Sequence, residues 1–288
     1  MSLTMERVYD TATFIFDPLH EFWESDQTQR RVGGLLVIVF LLALAAIELN
    51  RHALLPASLA QHAPTSHFAA VGLAFSLVLI LEVVSFIFTL PCSITKSVGK
   101  QFEILALILL RSTFKELVHF PEPITLQGHM DSLLRIISDG SGALAIFLIL
   151  GLYYALQRKN RKELKDPVLR YKFVASKKIV ALVILGVFIA MGCRDLLGIL
   201  RHHPPTDFFA AFYTVLIFSD ILIVLISQRH LPAFRAVFRN SGFALATLLI
   251  RIALTAPPYY NSAIGVGAAL FAICLSLVYD RFYARPLD

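Results

Sequence analysis

Glu82 and Arg111, and again Asp220 and Arg251, are ionisable residues set inside long apolar runs: LILEVVSFIFTL (79–90), FEILALILLR (102–111), FSDILIVLISQR (218–229) and FALATLLIR (243–251). A charge in hydrocarbon is expensive, and is kept where it is paired or lines a polar cavity. At the helical rise, Glu82 lies about 13 Å from Pro91 and Arg111 about 16 Å from Lys100. Asp220 lies about 13 Å from Arg229, and Arg251 about 18 Å from Arg239, by the same rise. Each acid thus shares a depth with an arginine on the next helix, and the spacing predicts the pairs Glu82–Arg111 and Asp220–Arg251. Two roles are open to them. They line a path for protons or ions, or an anion site built on two arginines; or they pin neighbouring helices through bidentate, charge-assisted hydrogen bonds.

Other reactive groups carry less. Glu48, Arg194 and Asp195 are secondary candidates near the outer ends of their spans, within reach of water or snorkelling. Seven histidines fall on the predicted outer side: His52, His62, His67, His119, His129, His202 and His203. They lack HxxxH or HxH spacing, so no metal site is expected, and none sits mid-span to ligate haem. Walker A and GxGxxG fingerprints are absent, as is GxSxG. The stretch SDGSG (138–142) reads as a turn and helix cap. Cys92, Cys193 and Cys274 are odd in number and widely spaced, which fits small apolar side chains rather than disulfides or a metal knuckle. No catalytic residue and no cofactor is expected.

The elements that must position these charges follow from composition. Of 288 residues, 57% are hydrophobic and 16% charged, against roughly 25% charged in a soluble domain. The mean hydropathy of +0.70 agrees. This excludes a soluble enzyme, a secreted disulfide scaffold and a disordered regulator, and points to a polytopic membrane protein. Spans are expected at 32–49, 68–90, 101–118, 141–157, 179–199, 208–227, 240–256 and 262–280, the third and seventh weakened by an internal arginine. No cleavable signal peptide is expected, because an acidic leader precedes the first apolar run. Nineteen of the 26 lysines and arginines fall on the side that carries both termini, so both termini are expected in the cytoplasm. The net charge of +6 then reads as affinity for anionic headgroups rather than nucleic acid. In the leader, Val8, Ala12, Ile15, Phe16, Leu19, Phe22 and Trp23 share a helical face, as in an interfacial amphipathic helix.

The chain also repeats. RRVGGLLVIVFLLALAAIEL (30–49) aligns without a gap on KKIVALVILGVFIAMGCRDL (177–196), placing Glu48 on Asp195. Further along, Glu82 falls on Asp220, Arg111 on Arg251 and Tyr154 on Tyr279. Four spans per half is an even number, so the halves share one orientation, as in parallel repeats. The expected architecture is all-α: eight transmembrane helices as two parallel four-helix repeats with interfacial amphipathic helices. Its divisions are an N-terminal amphipathic segment (1–31), a first repeat (32–157), a basic linker or interfacial helix (158–178) and a second repeat (179–288).

Each half resembles the phosphate-starvation-inducible PsiE family, small four-span proteins of the bacterial inner membrane. The residues that carry the resemblance are Glu82 with the run closing on Arg111, and Asp220 with the run closing on Arg251. The resemblance implies an inner-membrane location and a four-helix fold in tandem, and no activity. Two functions remain: a non-catalytic accessory or regulatory subunit with membrane-protein partners or a second copy of itself, and a transporter or channel between the repeats.

Overall fold

The computed structural model describes residues 2–54, 64–91, 94–121, 124–157, 167–200, 208–230 and 234–283. His62, His202, His203, Cys92 and positions 158–166 of the linker lie outside them. The described residues form nine α-helices: α1 (Ser2–Glu24), α2 (Asp26–Arg51), α3 (Phe68–Thr89), α4 (Ile94–Glu116), α5 (Met130–Gln157), α6 (Pro167–Leu200), α7 (Phe208–His230), α8 (Phe234–Thr255) and α9 (Tyr260–Tyr283), with a 3₁₀ turn at Leu117–His119.

Local chemistry sets the breaks. Ser25 leaves the helical region (ψ 135°) and its hydroxyl accepts from the Thr28 amide, so α1 ends and α2 begins at one capping serine. Asp26 in the first turn of α2 meets the positive end of the helix dipole. At the far end, the Leu54 amide donates to the Leu49 carbonyl at 2.9 Å and the Ala53 amide to Asn50 at 3.0 Å. That is a Schellman closure, with Ala53 at φ 54° in the left-handed position glycine normally fills.

Among the described residues, seven helices are long and apolar enough to cross a membrane: α2, α3, α5, α6 (over Tyr171–Gly198), α7 (over Ala211–Arg229), α8 and α9 (over Tyr260–Tyr279). Large apolar side chains such as Leu42, Phe147 and Leu148 face outward on them, which a water-exposed surface does not tolerate at this extent. The chain is an integral membrane protein. The expected span 101–118 falls on α4, which carries Lys96, Lys100, Glu103, Arg111, Lys115 and Glu116 and is not among the seven.

Two apolar cores meet on α4. In one, Val98, Phe102, Leu105 and Leu109 of α4 pack with α5 (Ile146, Leu150, Tyr153), α8 (Phe243, Ala246, Ile250) and α9 (Ala268, Ala272). Gly142 lets α5 and α9 close: a Cβ there would lie 2.5 Å from Ser262 Cβ. In the other, Ile104 joins α3 (Val83, Phe86, Ile87), α6 (Ile184, Phe188) and α7 (Phe212, Leu216). The leader helix α1 runs beside α6 in the same direction. Tyr171 donates to Asp10, and Lys178 meets Asp17 at 2.6 Å, each contact seven residues beyond the last on both helices. The apolar face expected of α1 is divided: Ala12 and Phe16 are buried against the protein, while Val8, Ile15, Leu19 and Phe22 point outward.

Candidate functional site

Consecutive residues at the start of α4 each organise a polar cluster. Lys100 Nζ lies 2.6 Å from Glu82 Oε2 on α3 and 2.9 Å from Glu103 Oε2 one turn along α4. The Tyr154 hydroxyl on α5 donates to Glu103 Oε1 at 2.8 Å. Gly99 makes room for that ring, since a Cβ there would sit 2.6 Å from the Tyr154 oxygen. One ammonium between two carboxylates, with a phenol donor behind, ties α3, α4 and α5 together. The three charged side chains are half-buried, at 18%, 29% and 34% exposure.

Gln101 serves the second cluster. Asp220 on α7 and Arg251 on α8 are almost sealed from solvent, at 10% and 3% exposure, and their nearest charged atoms are 3.8 Å apart. That exceeds hydrogen-bond reach. Gln101 fills the gap: Arg251 Nη2 donates to Gln101 Oε1 at 2.8 Å, and Gln101 Nε2 donates to Asp220 Oδ1 at 3.2 Å. The guanidinium lies 6.0 Å over the Phe86 ring and 5.8 Å over Tyr213, in cation–π contact from two sides. A cavity of about 20 Å³ borders the cluster, lined by Ser97, Gln101, Asp220, Asn240 and Thr247 among apolar neighbours.

The expected Glu82–Arg111 pair is not formed. Glu82 is held by Lys100, which the sequence had placed in the loop before the third span. Arg111 lies about 16 Å further along α4 than Lys100, with its guanidinium 5.8 Å over Phe209 of α7. A register slip accounts for the difference. Phe102, Leu105 and Leu109 hold the core spacing that Phe243, Ala246 and Ile250 repeat on α8, and FEILALILLR is one residue longer than FALATLLIR. With the core faces matched, Arg111 is turned by about 100° from the place of Arg251. Equal depth did not secure equal azimuth.

The secondary candidates sit apart. Glu48, near the end of α2, is 3.4 Å from His67 Nε2 and 3.9 Å from Arg51 Nε. Arg194 is exposed and Asp195 half-buried near the end of α6. Among the described residues, no three His, Cys, Asp or Glu side chains converge to hold a metal. Sequence reasoning missed Gln101, Glu103 and Tyr154. The Lys100–Glu103 spacing of one helical turn was a signal for Glu103, and the alignment on Tyr279 was one for Tyr154.

What fold and site define together is a helical integral membrane protein in which two clusters of charged side chains, drawn from α3, α4, α7 and α8, meet at one central helix. In comparisons with protein-family models, curated proteins and solved structures, nothing matches the chain.

Proposed function

We propose that the chain is a non-catalytic protein of the bacterial inner membrane, an accessory or regulatory subunit of a membrane assembly. The carrying observation is that Glu82, Asp220 and Arg251 are engaged by Lys100 and Gln101 inside the chain, and that the cavity bordering Asp220 has room for about one water. α2 supports a docking role: only 6% of its most apolar stretch is buried in the protein, leaving that helix to lipid or a partner helix. In this reading α4 is an eighth span, shielded from lipid by helices on either side. The halves are parallel repeats of a PsiE-like unit with both termini in the cytoplasm. α1 and the basic linker rest on anionic headgroups through the outward side chains of α1 and the lysines and arginines of 158–178 other than the buried Lys177 and Lys178, which pairs with Asp17.

The test is purification in mild detergent from native expression levels, followed by identification of what co-purifies. A stoichiometric membrane partner supports the proposal, and a protein that purifies alone contradicts it. A second reading, transport of an ion or small solute between the repeats, draws on the polar cavity at Asp220. Solute flux in proteoliposomes that Asp220→Asn abolishes would establish it.

A further inference from the structure

Two acceptor atoms at the cavity beside Asp220 have no hydrogen-bond donor. Asp220 Oδ2 and Asn240 Oδ1 are buried and accept no hydrogen bond, and both residues line the same space of about 20 Å³. The Thr247 hydroxyl, which also faces the Asp220 carboxylate, donates to the Ala244 carbonyl at 2.8 Å, and the Asn240 amide nitrogen donates to Ser227 Oγ at 2.5 Å. Arg251 is not part of the lining, so the space meets the carboxylate rather than the guanidinium. Such a lining selects a small donor over an anion, and its volume suits one water.

We propose that this cavity is a water-held proton site, in which one water donates to Asp220 Oδ2 and Asn240 Oδ1 and passes protons to and from Asp220. The lining residues Leu90, Ser97 and Asn240 lie near the α3–α4 and α7–α8 connections, the end of the bundle assigned above to the cytoplasm. A hydronium reaching the cavity gives its proton to Oδ2 and remains as the bound water; the reverse step returns it. Gln101 Nε2 donates to Oδ1 whether Asp220 is charged or neutral.

The groups around Asp220 are few. α8 presents Arg251; α4 presents Gln101 and Lys100, the latter held by Glu103 and by Glu82 of α3. α3 adds Phe86 near Arg251, and α7 itself adds Tyr213. The face of α6 packed on α7 carries Val180, Ala181, Ile184 and Phe188 and, one turn before them, the buried Lys177, whose ammonium lies over the Phe173 ring; α8 adds the Thr247 hydroxyl.

The test is infrared difference spectroscopy of the full-length protein in lipid nanodiscs, acid against alkaline buffer, in H₂O and D₂O. A protonated-carboxyl band should rise on acidification, shift in D₂O and be missing from Asp220→Asn. In Ala244→Leu, which fills the cavity and leaves the polar groups intact, its midpoint should move by about one pH unit, the tenfold change in proton affinity that follows loss of one hydrogen bond to a charge. Spectra of wild type and Asp220→Asn that coincide overturn the proposal, as does an Ala244→Leu protein that titrates like wild type. A midpoint that depends on sodium against choline at fixed ionic strength overturns it too, giving the cavity to a metal cation. If Asp220→Asn fails to accumulate, the Ala244→Leu comparison decides alone.

Discussion

Replacing Gln101 by leucine tests the logic of the second cluster. The substitution nearly conserves volume and removes two bonds, one from Arg251 at 2.8 Å and one to Asp220 at 3.2 Å. Hydrogen bonds to charged groups contribute about 1.5–3 kcal/mol each, whereas interhelical pairs in membranes average about 0.6 kcal/mol because the separated helices find other partners. The first figure governs here. Arg251 and Asp220 are 3% and 10% exposed, and the leucine leaves both charges without the amide that joins them. Partial closure of the 3.8 Å gap between them recovers some of the loss, so Gln101→Leu should cost about 2–4 kcal/mol. The assay is reversible unfolding of the purified protein in mixed detergent, run as a double-mutant cycle with Arg251→Met. A strong coupling between the two is expected. A cost below about 0.5 kcal/mol, or additive single effects, would refute the bridge and leave the ion pair self-sufficient.

Lys100→Met leaves Glu82 and Glu103 facing each other; because all three side chains are partly exposed, the loss should be about 1–2 kcal/mol, between surface and buried pairs. Glu103→Gln in that background should recover part of it in the same unfolding assay. Gly142→Val drives a side chain into Ser262, whose Cβ would lie 2.5 Å from the new Cβ, so the α5–α9 contact must open at a cost of about 3 kcal/mol. Its thermal transition should fall and partly return with Ser262→Gly. Ala53→Gly relieves the left-handed φ of 54° and should raise stability by about 0.5 kcal/mol; no gain would mean that the α2 closure is set by its two hydrogen bonds alone.

The apolar runs made the helices legible because twenty residues free of charge leave a chain few alternatives in a membrane. Asp220 and Arg251 stood out for the same reason: a charge in such a run is visible, and its depth can be counted. Azimuth cannot be counted in this way. One extra residue in the run before Arg111 turns that side chain off the face Arg251 uses, which no depth estimate records. Gln101 was hidden for a different reason, since a neutral amide at the edge of a run resembles an ordinary boundary residue. Only the packing of α4 against α8 gives it two charges to join. Lys100 was assigned to water because basic residues next to a span mark the cytoplasmic side, yet a lysine with two carboxylates in reach is better served inside the helix. Tyr154 carried no signal beyond its alignment on Tyr279.

α4, the expected span that is not among the seven apolar helices, is also the helix packed on the most neighbours, and these facts have one cause. Hydropathy measures how well a helix suits lipid, and α4 meets chiefly other helices: Val98, Phe102, Leu105 and Leu109 face one core, Ile104 the other, and Lys100, Gln101 and Glu103 face groups on α3, α5, α7 and α8. A lone lysine at a span's centre costs about 2.5–3.5 kcal/mol to insert, so α4 under the eight-span reading is a poor candidate to enter the bilayer alone. Beside α3 the cost falls, because Glu82 meets Lys100 across a short hairpin and neither charge faces hydrocarbon. The first cluster therefore has a use at assembly that the second lacks. Glu82 and Lys100 join helices adjacent in sequence and pair as the hairpin forms, whereas Gln101 reaches Asp220 and Arg251 only once the second half has docked. Of the two, only the Gln101 cluster reports that the halves are joined.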